Sequence, residues 1–91
     1  MIIIHQEPHI FFEPLFAIIN STFARFSLTQ PGLLTLEEFK QAWLSLGFEE
    51  ASEGTWDLYK GKDGMRSKRF TDAVLSSHKN VVRIFSQYYH N

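Results

Sequence analysis

The feature that most constrains this chain is a turn over residues 27–39 that separates two amphipathic patterns. Gly32 lies in its middle, where a sharp turn favours a residue without a side chain. Thr35 and Glu38 have the spacing of a capping box, in which each side chain accepts a hydrogen bond from the other residue's backbone N–H. The stretch predicts a first helix that ends near Ser27 and a second helix that starts after Thr35.

Apolar residues recur at steps of three and four on both sides of this turn, which is the pattern of one helix face. Pro14 suits the first turn of the upstream helix. Gly47 suits the left-handed position that ends the downstream helix. The upstream apolar positions are Phe16, Ile19, Phe23 and Phe26, and the downstream ones are Leu36, Phe39, Trp43 and Leu46.

The second half of the chain repeats this organisation with a weaker pattern. It predicts a short third helix from Ser52, a glycine turn at 61–64, and a last helix that runs through Phe70 almost to the chain end, with a bend near 76–77. The separation between Phe39 and Phe70, about thirty residues, indicates a weak internal duplication.

These elements predict an all-α fold of four helices in two helix-loop-helix pairs. A short two-strand contact between the loops would pair Leu34 with Met65. The apolar share of 44% is ample for one core in 91 residues. The predicted single domain, 1–91, comprises an N-terminal arm at 1–12, a first unit at 14–47, a second unit at 50–75 and a C-terminal helical extension at 76–91. The arm is either an extended packing segment or a short first helical turn, because Pro8 disfavours a helix interior there.

The first unit resembles an EF-hand. Residues 23–48 carry the likeness, most specifically at 32–39 and 44–48, and residues 56–75 resemble a second, more eroded hand. The chain thus resembles one degenerate two-hand lobe of the calmodulin, centrin and myosin light chain kind. A narrower likeness lies at Trp56, whose Trp-Asp-Leu sequence is similar to the third helix of EH domains, which bind Asn-Pro-Phe peptides. That likeness implies a peptide pocket formed by Trp56 with Ala42 and Trp43.

The first loop departs from the family at its ligand positions. Ser27, Thr29 and Pro31 stand where side-chain oxygens, usually carboxylates, bind calcium, and only Glu38 and the carbonyl of Leu33 match the requirement. One carboxylate offsets little of the cost of dehydrating a dication, so no metal is expected here. If a metal bound, its ligands would be Ser27, Thr29, Leu33 and Glu38.

The second loop departs further. Lys60 and Lys62 fall at ligand positions and Arg69 replaces the glutamate, so the loop repels a cation. Both loops are therefore predicted to be structural, without calcium or any other cofactor.

Composition argues against several function classes. A formal charge of −1 leaves no general field for nucleic acid, and the absence of cysteine removes thiolate metal sites and cysteine nucleophiles. No phosphate loop or nucleophile elbow is present, so no enzyme is expected. The apolar residues 1–4 are too few for a membrane span. We expect a cytoplasmic protein, with the cytoskeleton as a further expected location.

The sequence predicts a calcium-independent protein-interaction module of EF-hand type, which binds a helix or short peptide in an aromatic groove as a light-chain-like or scaffold subunit. The alternatives are a calcium-binding sensor through the first loop and a structural homo-oligomerisation domain. The predicted groove walls are Phe16, Ile19, Phe39, Trp43, Trp56 and Val74.

The last helical stretch, 81–89, presents apolar groups on more than one side and needs a cover. Either it folds back across the helices and fills the groove, or it pairs with a second chain to form a homodimer.

Overall fold

The computed structural model describes residues 8–49 and 53–89, and the side chains within 13–49 and 53–88. Its helices are α1 (Pro8–Phe26), α2 (Leu36–Ser45), α3 (Glu53–Tyr59), α4 (Ser67–Leu75) and α5 (His78–Tyr89). Within the described residues, β-structure is limited to two isolated antiparallel bridges, Gln30–Leu33 and Leu34–Met65. The prediction of an all-α fold is confirmed.

The first helix begins earlier than predicted. It starts at Pro8 rather than Pro14, so residues 8–12 of the predicted arm are helical and continue into α1. Proline suits a first helical position, because its missing N–H has no helical partner there. Pro14 removes one main-chain hydrogen bond, but its fixed φ is helical and the helix continues through it. The rest of the predicted arm, residues 1–7, lies outside the described residues.

The predicted fourth helix is two helices. At the junction, polar side chains donate hydrogen bonds to main-chain carbonyls that would accept from the next turn if the helix continued. Ser76 Oγ donates to the Ala73 carbonyl at 2.7 Å, and Asn80 Nδ2 donates to the Val74 carbonyl at 3.0 Å. Such side chains compete with the main chain for acceptors and end helices. The expected bend is therefore a break, and the described chain has five helices rather than four. The predicted start of the third helix at Ser52 lies outside the described residues.

The turn and cap signals are confirmed. Thr35 Oγ1 accepts from the Glu38 N–H at 3.1 Å, Glu38 Oε1 accepts from the Thr35 N–H at 2.9 Å, and together they form the predicted capping box. Gly32 and Gly47 both have a φ of 89°, in the left-handed region. These interactions are local, which is why the sequence predicts them.

The two loops are joined by their main chains. The Leu34 N–H donates to the Met65 carbonyl at 2.8 Å, and the Met65 N–H donates to the Leu34 carbonyl at 3.0 Å. Both side chains are fully buried. The predicted contact between the loops is thus present as one antiparallel bridge, and it brings the first and second units side by side.

Phe39 lies at the centre of the core. The centroid of its ring lies 5.2 Å from that of Trp43, 5.6 Å from that of Trp56 and 6.3 Å from that of Phe70. The rings of Phe39 and Phe70 pack edge to face. Phe23 of α1 contacts Phe70 from the other side, at 5.9 Å. α1 packs against α2 and α4, while α3 and α5 pack against α4. Among the described residues, the helices lack the combination of length and hydrophobicity that a membrane span requires.

We expect Gly64→Ala to destabilise the protein more than Gly32→Ala. A Cβ at Gly64, where φ is 143°, would lie 2.8 Å from the Leu34 carbonyl oxygen and would push the loops apart, whereas nothing lies within 4 Å of a Cβ at Gly32. The expected losses in unfolding free energy are about 2 to 4 kcal/mol for Gly64→Ala and about 1 kcal/mol for Gly32→Ala. Urea denaturation measures both, and equal losses would contradict the close approach of the two loops.

Candidate functional site

The first loop is closed by a carboxylate. Glu38 Oε2 accepts from the N–H groups of Thr29 at 2.9 Å and Leu28 at 3.2 Å, while Oε1 accepts from Thr35. These donors follow the end of α1 and precede the start of α2, so one side chain ties the two helix ends together. The loop satisfies its backbone donors with an acceptor from its own chain.

These hydrogen bonds lower the pKa of Glu38 below its ordinary value of 4.5. The backbone N–H of Thr35 makes the largest contribution, partial burial opposes it, and the remaining donors are Thr29 and Leu28. Donors that face a carboxylate stabilise its charged form. Glu38 is therefore ionised at neutral pH and directs its negative charge at main-chain N–H groups.

The second loop makes the equivalent connection with the opposite charge. Arg69 precedes Phe70 as Glu38 precedes Phe39, and it donates to the carbonyls of Tyr59 at 3.3 Å and Leu58 at 3.1 Å. Its guanidinium also lies 5.5 Å from the centre of the Tyr59 ring. A cation at the carboxyl end of a helix is favoured by the helix dipole. Arg69 therefore has a structural role at the end of α3.

The backbone N–H groups of Ser27, Thr29 and Leu33, three of the residues predicted as possible metal ligands, are hydrogen-bonded within the chain. The Ser27 N–H donates to the Phe23 carbonyl, the Leu33 N–H to the Gln30 carbonyl, and the Thr29 N–H to Glu38. Within the described part of the chain, no group of three or more His, Cys, Asp or Glu side chains could hold a metal ion. The geometry gives Glu38 a structural role in the loop.

The predicted groove walls lie mostly inside the core. Ile19, Phe39 and Val74 are fully buried and Trp43 is 8% exposed, whereas Phe16 is 39% exposed on α1. Trp56 is half-buried and packs against the same cluster. In this conformation, the six predicted residues do not form an open groove.

The C-terminal helix packs on the same core that contains most of the predicted groove walls. Ile84 of α5 is fully buried and belongs to the same cluster as Phe39, Trp43 and Val74. The helix passes beside the end of α2, where a Cβ at Gly47 would meet the side chain of Gln87. The expectation that the last helix folds back on its own chain therefore agrees with this structure.

A cleft remains between α5 and the ends of α2 and α4. It has a volume of about 300 Å³, with the Trp43 and Phe48 rings on one side and Lys79 and Arg83 of α5 on another. The two rings are in edge-to-face contact at 4.8 Å. This opening is the part of the interhelical space that α5 leaves unfilled.

Sequence reasoning missed the residues that place α5. Ile84 lies three residues after Val81 and was available as part of the same helical face, but the sequence alone does not show what that face meets. Asn80 carried no signal, because its acceptor belongs to the preceding helix. Phe48 lies beyond Gly47, outside the predicted second helix.

The chain matches no protein-family model, no curated protein and no solved structure. A functional assignment therefore depends on the geometry of the loops, the aromatic core and α5.

Replacing Glu38 by Gln should lower stability at neutral pH and have less effect in acid. The folded-state pKa is lowered, so the ionised carboxylate stabilises the fold above pH 4.5, and this contribution is lost as the pH falls through the lowered pKa. We expect a loss of about 1 to 2 kcal/mol at pH 7, from weaker cap and loop hydrogen bonds at a partly exposed site. Urea denaturation at pH 7, 5 and 3 measures this.

Glu37→Gln is the matched control, because Glu37 is the exposed neighbour and takes part in an ion pair with Lys40 at 4.0 Å. It should change stability little, since exposed pairs contribute little. An equal loss for the two variants at pH 7, or a Glu38→Gln effect that does not shrink in acid, would contradict the structural role of Glu38.

Proposed function

We propose that this chain is a calcium-independent protein-interaction module of EF-hand type. It binds an amphipathic helix or short peptide between its helices, as a light-chain-like or scaffold subunit in the cytoplasm or on the cytoskeleton. The observation that carries the proposal is the closed first loop, in which the Glu38 carboxylate accepts hydrogen bonds from three main-chain N–H groups.

The arrangement of the two units supports the EF-hand part of the proposal. Each unit is a helix, a short loop and a helix, and the loops meet through the bridge between Leu34 and Met65. Gly32, with a φ of 89°, makes the sharp turn of the first loop. The phenylalanines that follow Glu38 and Arg69 pack edge to face. Each unit thus contributes an equivalent residue to one shared core.

The interior of the domain supports helix binding. In its core the Phe39 ring contacts three further aromatic rings, and an amphipathic helix of the same chain already packs on this core. Aromatic side chains contribute much of the affinity at protein interfaces, and an apolar helix face in a groove is a recurring mode of recognition. The interaction would be non-covalent and would need no catalytic group.

Calcium should leave the protein unchanged. Glu38 already has main-chain partners, and loop positions such as Pro31 offer no side-chain oxygen. Tryptophan fluorescence and the thermal midpoint are expected to stay constant up to about 1 mM calcium, a range that covers intracellular sensors. A saturable change at micromolar calcium in the wild type that is lost in Glu38→Gln would instead establish the calcium-sensor alternative.

Peptide binding tests the module directly. The probe is a fluorescent model peptide of Ala, Glu and Lys with leucine at positions i, i+3, i+4 and i+7, and a scrambled peptide of the same composition is its control. We expect saturable binding of the patterned peptide alone, in excess EDTA, as measured by anisotropy. The proposal would be contradicted if wild type and an Ile84→Ser variant of α5 bound both peptides equally, or if they bound neither.

Phe16→Ser and Leu44→Ser form a matched pair for the same assay. Both side chains are apolar and similarly exposed, but only Phe16 is a predicted groove wall. Phe16→Ser should weaken binding roughly tenfold and Leu44→Ser should not. Light scattering on these samples reports the homodimer alternative as a mass above 10.6 kDa.

A further inference from the structure

α5 has the pattern of a helix that binds in a groove. Its apolar residues Val81, Ile84, Phe85 and Tyr88 stand at positions i, i+3, i+4 and i+7, the spacing by which amphipathic helices anchor in their receptors. Ile84 is fully buried, while Val81 and Phe85 are partly buried against the core cluster. Val82 lies outside this face and is 50% exposed.

The attachment of α5 to the rest of the domain is limited. Only residues 76–77 connect it to α4, and the cleft of about 300 Å³ separates its first turns from Trp43 and Phe48. Among the described residues of α5, Ile84 alone is fully buried. The helix is therefore held by Ile84 and its partly buried neighbours in the middle, and by the hydrogen bond from Asn80 to the Val74 carbonyl at its first turn.

We infer that α5 is an internal ligand that occupies the partner site of this domain, and that the partner is an amphipathic helix with the same i, i+3, i+4, i+7 apolar spacing. The inference rests on the proposed function. A partner helix takes the place of α5 on the core surface around Trp43 and Val74, and α5 swings out about residues 76–77. Release of α5 carries Lys79 and Arg83 away from the cleft, because both belong to that helix.

This arrangement makes partner affinity depend on how often α5 is released. A ligand that binds only the open state has an apparent Kd equal to its intrinsic Kd divided by the open fraction. A substitution that loosens α5 without disturbing the other helices therefore tightens partner binding. A substitution elsewhere on α5 does not.

The experiment uses the full chain and a fluorescein-labelled synthetic peptide with the sequence of residues 77–91. Ile84→Ser loosens α5, and Val82→Ser is its matched control, since it makes the same kind of change on an exposed position of the same helix. We expect Ile84→Ser to bind the peptide at least roughly tenfold more tightly than wild type, with Val82→Ser equal to wild type. A peptide carrying the Ile84→Ser change should bind none of the proteins.

Circular dichroism and acrylamide quenching accompany the binding measurement. Helix content should be largely retained in Ile84→Ser, and quenching of tryptophan emission should increase as release of α5 opens the core cluster that contains Trp43. Phe85→Ser is a milder second variant, because Phe85 is only partly buried. If both variants unfold, α5 is an integral part of the fold and the inference is overturned.

The outcomes separate this inference from the proposed function. Equal affinity of wild type and Ile84→Ser for the α5 peptide overturns the internal-ligand inference, and so does a failure of both to bind it. Binding of the patterned leucine peptide to wild type in the same samples would leave the proposed function intact. Tighter binding of both peptides by Ile84→Ser supports the two together.

Discussion

The structure depends on one requirement: two short loops must satisfy their polar main-chain groups with hydrogen bonds from the same chain. The paired hydrogen bonds between Leu34 and Met65 hold the loops together. Glu38 accepts from N–H groups after α1, and Arg69 donates to carbonyls at the end of α3. A carboxylate suits donors and a guanidinium suits acceptors, so equivalent positions in the two units carry opposite charges for the same task.

The helices that these loops connect pack around one shared aromatic core. Phe39 and Phe70 follow Glu38 and Arg69, so the residues that close the loops also place the central rings. α5 then adds Ile84 to the same cluster. The proposed partner site and the core share residues such as Trp43, so the proposal implies that partner binding and stability are coupled. α5 contributes only one fully buried side chain among its described residues, and for this reason we expect substitutions on α5 to separate the two properties.

Much of the first unit could be predicted from the sequence. The capping box of Thr35 and Glu38 and the left-handed glycines at 32 and 47 depend on atoms close together in the chain. The start of α1 at Pro8 could not be predicted from the sequence, because a proline at position 14 is compatible with either a helix start or a helix interior. The sequence predicts the position of the break at 76–77 but predicts a bend there, since serine occurs both in bent helices and between separate helices.

The sequence by itself determined the all-α class, the two glycine turns and the apolar faces of the helices, because each follows from steric preferences and hydrogen bonds within a few residues. Only the tertiary structure decided what those faces meet. Trp43 and Ile84 are far apart in the sequence, and they belong to one cluster only because α5 turns back at residues 76–77. Helical spacing shows that a face is apolar, but its partner is chosen by packing among helices that are distant in the chain.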